Sequence, residues 1–255
     1  TTDALFGRKN IVGRLPITLN NEYKIGHGIR VKKNEIYFES KLNMEMKETF
    51  SIIQKAISDS IFPGAQLFVS HKENIITNKN FGKYTYSKDS KYISNESIYD
   101  VASLTKVLST TPVVMKLIQK KLLGLEYHLS DFYEEFNYGI KKNITIRHLL
   151  THSSGLPAYI EYFRLNDINS KDDIINNIVN QDLTYEPDSQ MLYSDLGMIL
   201  LCDIIEKVSS TTLDKLSAKY FYIPLDMKNT YFNPPASVKY QIVPTENDIH
   251  FRNKL

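Results

Sequence analysis

The sequence has no tryptophan and a single cysteine among its 255 residues. One cysteine cannot form an intrachain disulfide. That leaves the compartment open, because many exported proteins have none. Cys202 lies in the apolar run Gly197-Met-Ile-Leu-Leu-Cys-Asp-Ile-Ile205 and reads as a small buried hydrophobe rather than a catalytic thiol. Long hydrophobic runs are also lacking. No segment reaches the roughly 18 consecutive apolar residues of a membrane helix. No signal peptide is visible, which says little for a chain beginning with Thr1 rather than Met. An excess of one charge is missing too, the formal net charge being +2. No stretch interleaves basic and aromatic residues, so the sequence carries no nucleic-acid footprint. Internal repeats and low-complexity tracts are absent. The missing tryptophan supports no functional reading.

What is present is ordinary globular composition, with enough apolar residues for a sizeable core. Residues 1–40 read as loop and strand, punctuated by Gly13, Pro16, Gly26 and Gly28. Met46, Phe50, Ile53, Ile57 and Ile61 mark one face of a helix over about 44–61, ended by Pro63-Gly64. Ala65–Ser70 and a segment from Ile75 toward Phe81 and Tyr84 predict a hairpin. From Ser103, an apolar face of Val107, Val114, Leu117, Ile118 and Leu122 predicts a long helix that Gly124 stops and Pro112 kinks. A polar helix-and-loop region follows to about Pro187, then an apolar helix over about Leu196–Val208. The last forty residues are irregular. Strands followed by helices, without βαβ alternation, predict an α+β fold.

Val101-Ala-Ser103-Leu-Thr-Lys106 carries the chemistry. A serine hydroxyl is a weak nucleophile until a base takes its proton. Residues i and i+3 share a helix face, so Lys106 can bring its amine to the Ser103 oxygen. To act as that base it must be neutral, which needs burial or a cationic surrounding to lower its pKa. At a helix start, the Ser103 N–H is also free to stabilise an oxyanion. Ser-x-x-Lys alone is a common pattern, but Ser103 is the only serine in the chain with a lysine three positions on.

At this point the chain resembles serine β-lactamases, penicillin-binding proteins and related esterases, most of all the class C β-lactamase-like branch. Ile98-Tyr-Asp-Val-Ala-Ser-Leu-Thr-Lys106 resembles the family's first motif. Ile144-Thr-Ile-Arg-His-Leu-Leu-Thr-His-Ser-Ser-Gly-Leu-Pro157 resembles the segment after the nucleophile helix. Tyr193-Ser-Asp195 stands where the family has Tyr-x-Asn, and Pro224–Thr230 resembles a later segment. The similarity covers about residues 45–250.

The resemblance implies a β-lactamase/transpeptidase-like fold, an antiparallel sheet with a helical region, here lacking the C-terminal strands and helix. It implies Tyr193 beside Ser103 and Lys106, relaying protons between nucleophile, lysine and leaving group. Asp195 would be substrate-binding, and it departs from the family's Asn. An ionised carboxylate only accepts hydrogen bonds. That disfavours an anionic group such as a β-lactam carboxylate and favours a neutral or ammonium-bearing substrate. His148 and His152, at i and i+4, invite a metal reading. No Glu completes a zinc signature, and in the family this segment is structural, so no metal is expected. His27, His71, His128 and His250 are isolated.

The family's third motif, Lys-Thr-Gly or His-x-Gly, does not occur after Tyr193. The hairpin is therefore expected to have an open edge. At the other end, Gly13–Thr18 and Tyr23–Ile29 resemble the tail of the C-terminal domain of family-3 glycoside hydrolases. Residues 1–40 would then be tail and linker of a preceding domain, with 41–255 a truncated serine-hydrolase domain. The chain would be an internal fragment of a longer fusion, or else a short, damaged homologue.

The expected function is acyl-enzyme hydrolysis of an ester or amide without metal or organic cofactor. It spans esterase, D-Ala-D-Ala peptidase-like and weak β-lactamase activity. The expected partner is a small-molecule or peptidoglycan-peptide substrate, in a bacterial periplasm or envelope. The alternatives are a catalytically incomplete binding or scaffold module and an accessory domain of a family-3 β-glycosidase.

Overall fold

The computed structural model describes residues 46–71 and 74–245. The expected glycosidase-like tail and linker over 1–40 lie outside them. The described residues divide into two compact units, one built from 46–101 together with 221–245, the other from 102–220.

In the first unit, α1 spans Lys47–Ser58 and buries Phe50, whose ring packs on Phe81 at 5.8 Å between centroids. The helix stops short of the sequence expectation. Ser60 turns left-handed at φ 58°, and Ile61 donates back to Ala56 O at 2.9 Å, so Ile61 leaves the apolar face and is exposed. Strands β1 (Gly64–His71) and β2 (Asn74–Gly82) pair antiparallel with Gly64 opposite Gly82. They form the one sheet among the described residues. The segment around Gln241 returns to this unit. It accepts from Ile98 N at 2.7 Å and from the Tyr84 hydroxyl at 3.0 Å.

In the second unit the nucleophile segment is not one continuous α-helix. Lys106–Thr110 is a π-helical turn, and α2 (Thr111–Gln119) follows with Pro112 in its first turn. Proline has no N–H and its ring crowds the carbonyl four residues back, so the widened turn falls just where a regular helix would be interrupted. The predicted face changes with it. Val113, Val114 and Leu117 are buried, whereas Val107 is 60% exposed. Lys121, at φ 59°, ends the helix before Leu122, which is also exposed. Ser109 and Ser217, both fully buried, hydrogen-bond each other. They tie the π turn to α6 (Leu213–Ser217).

Three more helices precede α6 in this unit. They are α3 (Ile146–Leu150), α4 (Lys171–Val179) and α5 (Asp195–Ser209). The Ser194 hydroxyl caps α5, accepting from Gly197 N at 3.2 Å. Leu196, Leu200, Leu201, Ile204 and Ile205 of α5 form the centre of the core, all essentially without exposure. Burial pushes the Cys202 thiol up to about 11, which keeps it protonated and matches its reading as a structural residue. Because Leu200 is 0% exposed, Leu200→Ala should lower stability by about 3 kcal/mol. Denaturant unfolding of the purified protein checks this.

Candidate active site

The site is built from three short pieces of the second unit. The first is the turn that carries Ser103. Ala102 adopts φ 43°, left-handed and sparsely populated for a residue with a Cβ. The chain then turns into the helix, with Thr105 N on Ala102 O at 3.0 Å and Lys106 N on Ser103 O at 3.1 Å. Lys106 Nζ donates to Ser103 Oγ at 3.1 Å. The i, i+3 geometry expected from sequence is therefore in place.

The second piece is the entry to α5. Tyr193 lies just before the cap, and Lys106 Nζ stands 5.0 Å from its ring centre. Lys106 first and then Ser103, acting on its hydroxyl, hold the Tyr193 pKa below the ordinary tyrosine value. Asp195 opens α5 with Oδ1 2.8 Å from Lys106 Nζ. Oδ1 is buried without an oriented hydrogen bond, so charge is what holds it to the lysine.

Lys106 itself departs from the expected state. Burial lowers its pKa, but Asp195 and Tyr193 outweigh burial and lift it above the ordinary lysine value. A lysine acting as base must be neutral, and this one is held as an ammonium. Burial alone does not make it neutral, and the carboxylate standing where the family has an amide, together with Tyr193, reinforces the charge. The inward oxygen of Asp195 meets the lysine, while half of the side chain stays exposed.

The third piece is residues 151–158, which lie along 184–195. Thr184 N donates to Gly155 O at 2.8 Å, Asp188 N to Ser153 O at 2.9 Å and Asp195 N to Ala158 O at 2.7 Å. The Ser194 hydroxyl donates to Pro157 O at 2.7 Å. Gly155 sits at φ 83°, and a Cβ there would strike the Tyr185 carbonyl, so only glycine lets the two segments close. His152 packs on Tyr193 at 4.6 Å between ring centres. His148 turns away and serves its own helix, its Nδ1 accepting from Thr145 N at 3.0 Å. Among the described residues no group of three or more His, Cys, Asp or Glu side chains is placed to hold a metal ion.

The structure thus gathers Ser103, Lys106, Tyr193 and Asp195, and adds His152, which sequence reading left in a supporting segment. The arrangement offers a hydroxyl nucleophile, a fixed cation and an acidified phenol sharing hydrogen bonds. That is a proton-transfer set for acyl chemistry.

The family described as Beta-lactamase matches residues 51–249. A penicillin-binding protein of Bacillus subtilis (strain 168) is 31% identical over 163 residues, 62% of this chain and 35% of that protein. Protein flp of Staphylococcus aureus (strain MW2) is 29% identical over 195 residues, 74% of this chain and 39% of that one. The chain therefore spans well under half the length of either relative. A solved class C beta-lactamase superposes with a TM-score of 0.68 at 17% identity, covering 82% of this chain and 56% of that one. This bears out the α+β expectation.

Proposed function

The chain belongs to the beta-lactamase family, and from that premise we propose that Ser103 forms an acyl-enzyme on an ester or amide carbonyl. The observation that carries this reading is Lys106 Nζ 3.1 Å from Ser103 Oγ and 5.0 Å from the centre of the Tyr193 ring.

The division of labour follows from charge. Lys106 stays protonated and stabilises a Tyr193 phenolate. The phenolate takes the Ser103 proton as Oγ bonds to the carbonyl carbon. The resulting oxyanion is met by the Ser103 N–H, which donates to no acceptor among the described residues. Tyr193 then returns the proton to the leaving alcohol or amine as its bond to carbon breaks. In the second half, Tyr193 takes a proton from water as the water oxygen attacks the acyl carbon, and Ser103 leaves with that proton.

Asp195 points to the substrate. Its side chain is half exposed, so its outer face puts negative charge beside the nucleophile. Repulsion of a carboxylate at about 6 Å and an effective dielectric near 20 is worth about 3 kcal/mol, and the Lys106 charge cancels much of that. We place a neutral ester or amide first. A substrate with a free carboxylate close to the scissile bond, such as a β-lactam, comes second. By family resemblance the setting is the bacterial envelope, with a peptidoglycan peptide bond remote from any free carboxylate as the amide that fits this ranking.

The test compares p-nitrophenyl acetate with benzylpenicillin on the full-length protein. The ester should be turned over and the penicillin poorly. Asp195→Asn should raise the penicillin-to-ester ratio of kcat/KM about tenfold, equal to about 1.4 kcal/mol. Efficient penicillin turnover by the wild type, with no gain in Asp195→Asn, would contradict the assignment of Asp195.

A further inference from the structure

One residue beside the proposed nucleophile set grips the chain on both sides of Tyr193. The His152 carbonyl accepts from Leu192 N at 2.9 Å and from the Tyr185 hydroxyl at 3.2 Å. Its Nδ1 accepts from Ser194 N at 3.2 Å. Its ring lies against the Tyr193 ring at 4.6 Å, tilted by 37°. Residues 192, 193 and 194 are therefore each held by a different part of the same residue.

The hold depends on backbone and protonation. His152 is left-handed at φ 57°, a conformation that persists in a residue with a Cβ only when its surroundings demand it. Here it lets the carbonyl and the imidazole reach toward the same strip of chain. An Nδ1 that accepts from a backbone N–H carries no proton, so the neutral ring is the form with its proton on Nε2. A second proton would go to Nδ1 and confront the Ser194 N–H.

We propose that His152 is a positioning residue for Tyr193, fixing the phenol against Ser103 and Lys106 only while its imidazole is neutral. This rests on the acyl-enzyme reading above. The groups facing the ring are Lys106 from the nucleophile turn, Tyr193 itself and Asp195 at the start of α5. Tyr185 reaches only the carbonyl. Burial first, then the Lys106 charge, hold the His152 pKa below its ordinary value, with Asp195 opposing them. The neutral form is therefore the one present at neutral pH. The sign follows directly. The grip is complete above the His152 pKa and is lost as pH falls through it, so activity has an acid limb that belongs to this histidine.

Two variants of the full-length protein separate positioning from bulk. His152→Asn tolerates positive φ and offers a side-chain oxygen where Nδ1 stands. His152→Phe keeps a ring against Tyr193 and loses the acceptor. With p-nitrophenyl acetate, His152→Phe should lose roughly 100-fold in kcat with KM little changed, the scale of a catalytic group misplaced by about 1 Å. His152→Asn should keep most of kcat at neutral pH, and its acid limb should move below that of the wild type. The rate of Ser103 labelling by a fluorophosphonate should follow the same order, and thermal unfolding confirms that each variant is folded. Equal kcat losses in both variants, wild-type kcat in His152→Phe, or an unmoved acid limb in His152→Asn would each overturn the proposal. If Ser103→Ala left ester turnover intact, the acyl-enzyme reading itself would fall. If Ser103 were essential and both His152 variants behaved as wild type, only the positioning role would.

Discussion

Ser103→Ala should reduce ester hydrolysis by about 10⁴-fold or more, leaving only what binding and the remaining dipoles supply. The size follows from the step removed. Without Oγ no acyl bond forms, so Lys106 and Tyr193 have no proton transfer to assist. They lie within the same cluster of hydrogen bonds, so their contributions should vanish with the serine rather than add to it. Ser103→Ala/Lys106→Met should therefore be scarcely worse than Ser103→Ala alone. The fold should be unaffected, since the core of the second unit rests on α5 and its buried leucines and isoleucines, not on Ser103. Steady-state kinetics on p-nitrophenyl acetate, beside a thermal unfolding curve, reads both statements.

Tyr193→Phe should cost about 10²- to 10⁴-fold, the range of a general base. The substitution keeps the ring against His152 and beneath Lys106 and removes only the hydroxyl, so the loss reports on proton transfer. The pH profile carries the sharper statement. The active form has Tyr193 ionised and Lys106 protonated. Above the acid limb that His152 sets, the wild-type rate should climb a second, rising limb through a Tyr193 pKa that is depressed by Lys106 and Ser103. It should fall again only above the ordinary lysine range, because Asp195 and Tyr193 keep Lys106 charged despite its burial. Tyr193→Phe should lose the rising limb. Were Lys106 the base instead, the rising limb would survive in Tyr193→Phe.

Much of the architecture could be read from residue spacing. Phe50, Ile53 and Ile57 mark α1, the Gly64–Gly82 hairpin follows its alternation, and the apolar run from Leu196 is α5. What spacing could not give is the π turn over Lys106–Thr110. A 3.6-residue period assumes a regular helix and puts Val107 on the buried face, whereas the widened turn leaves it exposed. The site shows the same divide. Ser103, Lys106 and Tyr193 came from ordered motifs, and the structure places them together. The Lys106 charge state did not, because it depends on the distance to Asp195, which only tertiary packing fixes. The departure from Asn at Asp195 is legible in the sequence, whereas its contact with Lys106 is not. In the sequence His152 reads only as part of a structural segment. No local pattern says that an imidazole will take the amide of Ser194, far along the chain, and stack on the tyrosine between.

The central claim is that Ser103 is the nucleophile, and covalent capture tests it most directly. Full-length protein is treated with a fluorophosphonate, and its intact mass and peptide map are measured. The account predicts a single adduct on the peptide that contains Ser103, and none in Ser103→Ala. An adduct on another residue, or equal labelling of both proteins, would contradict it.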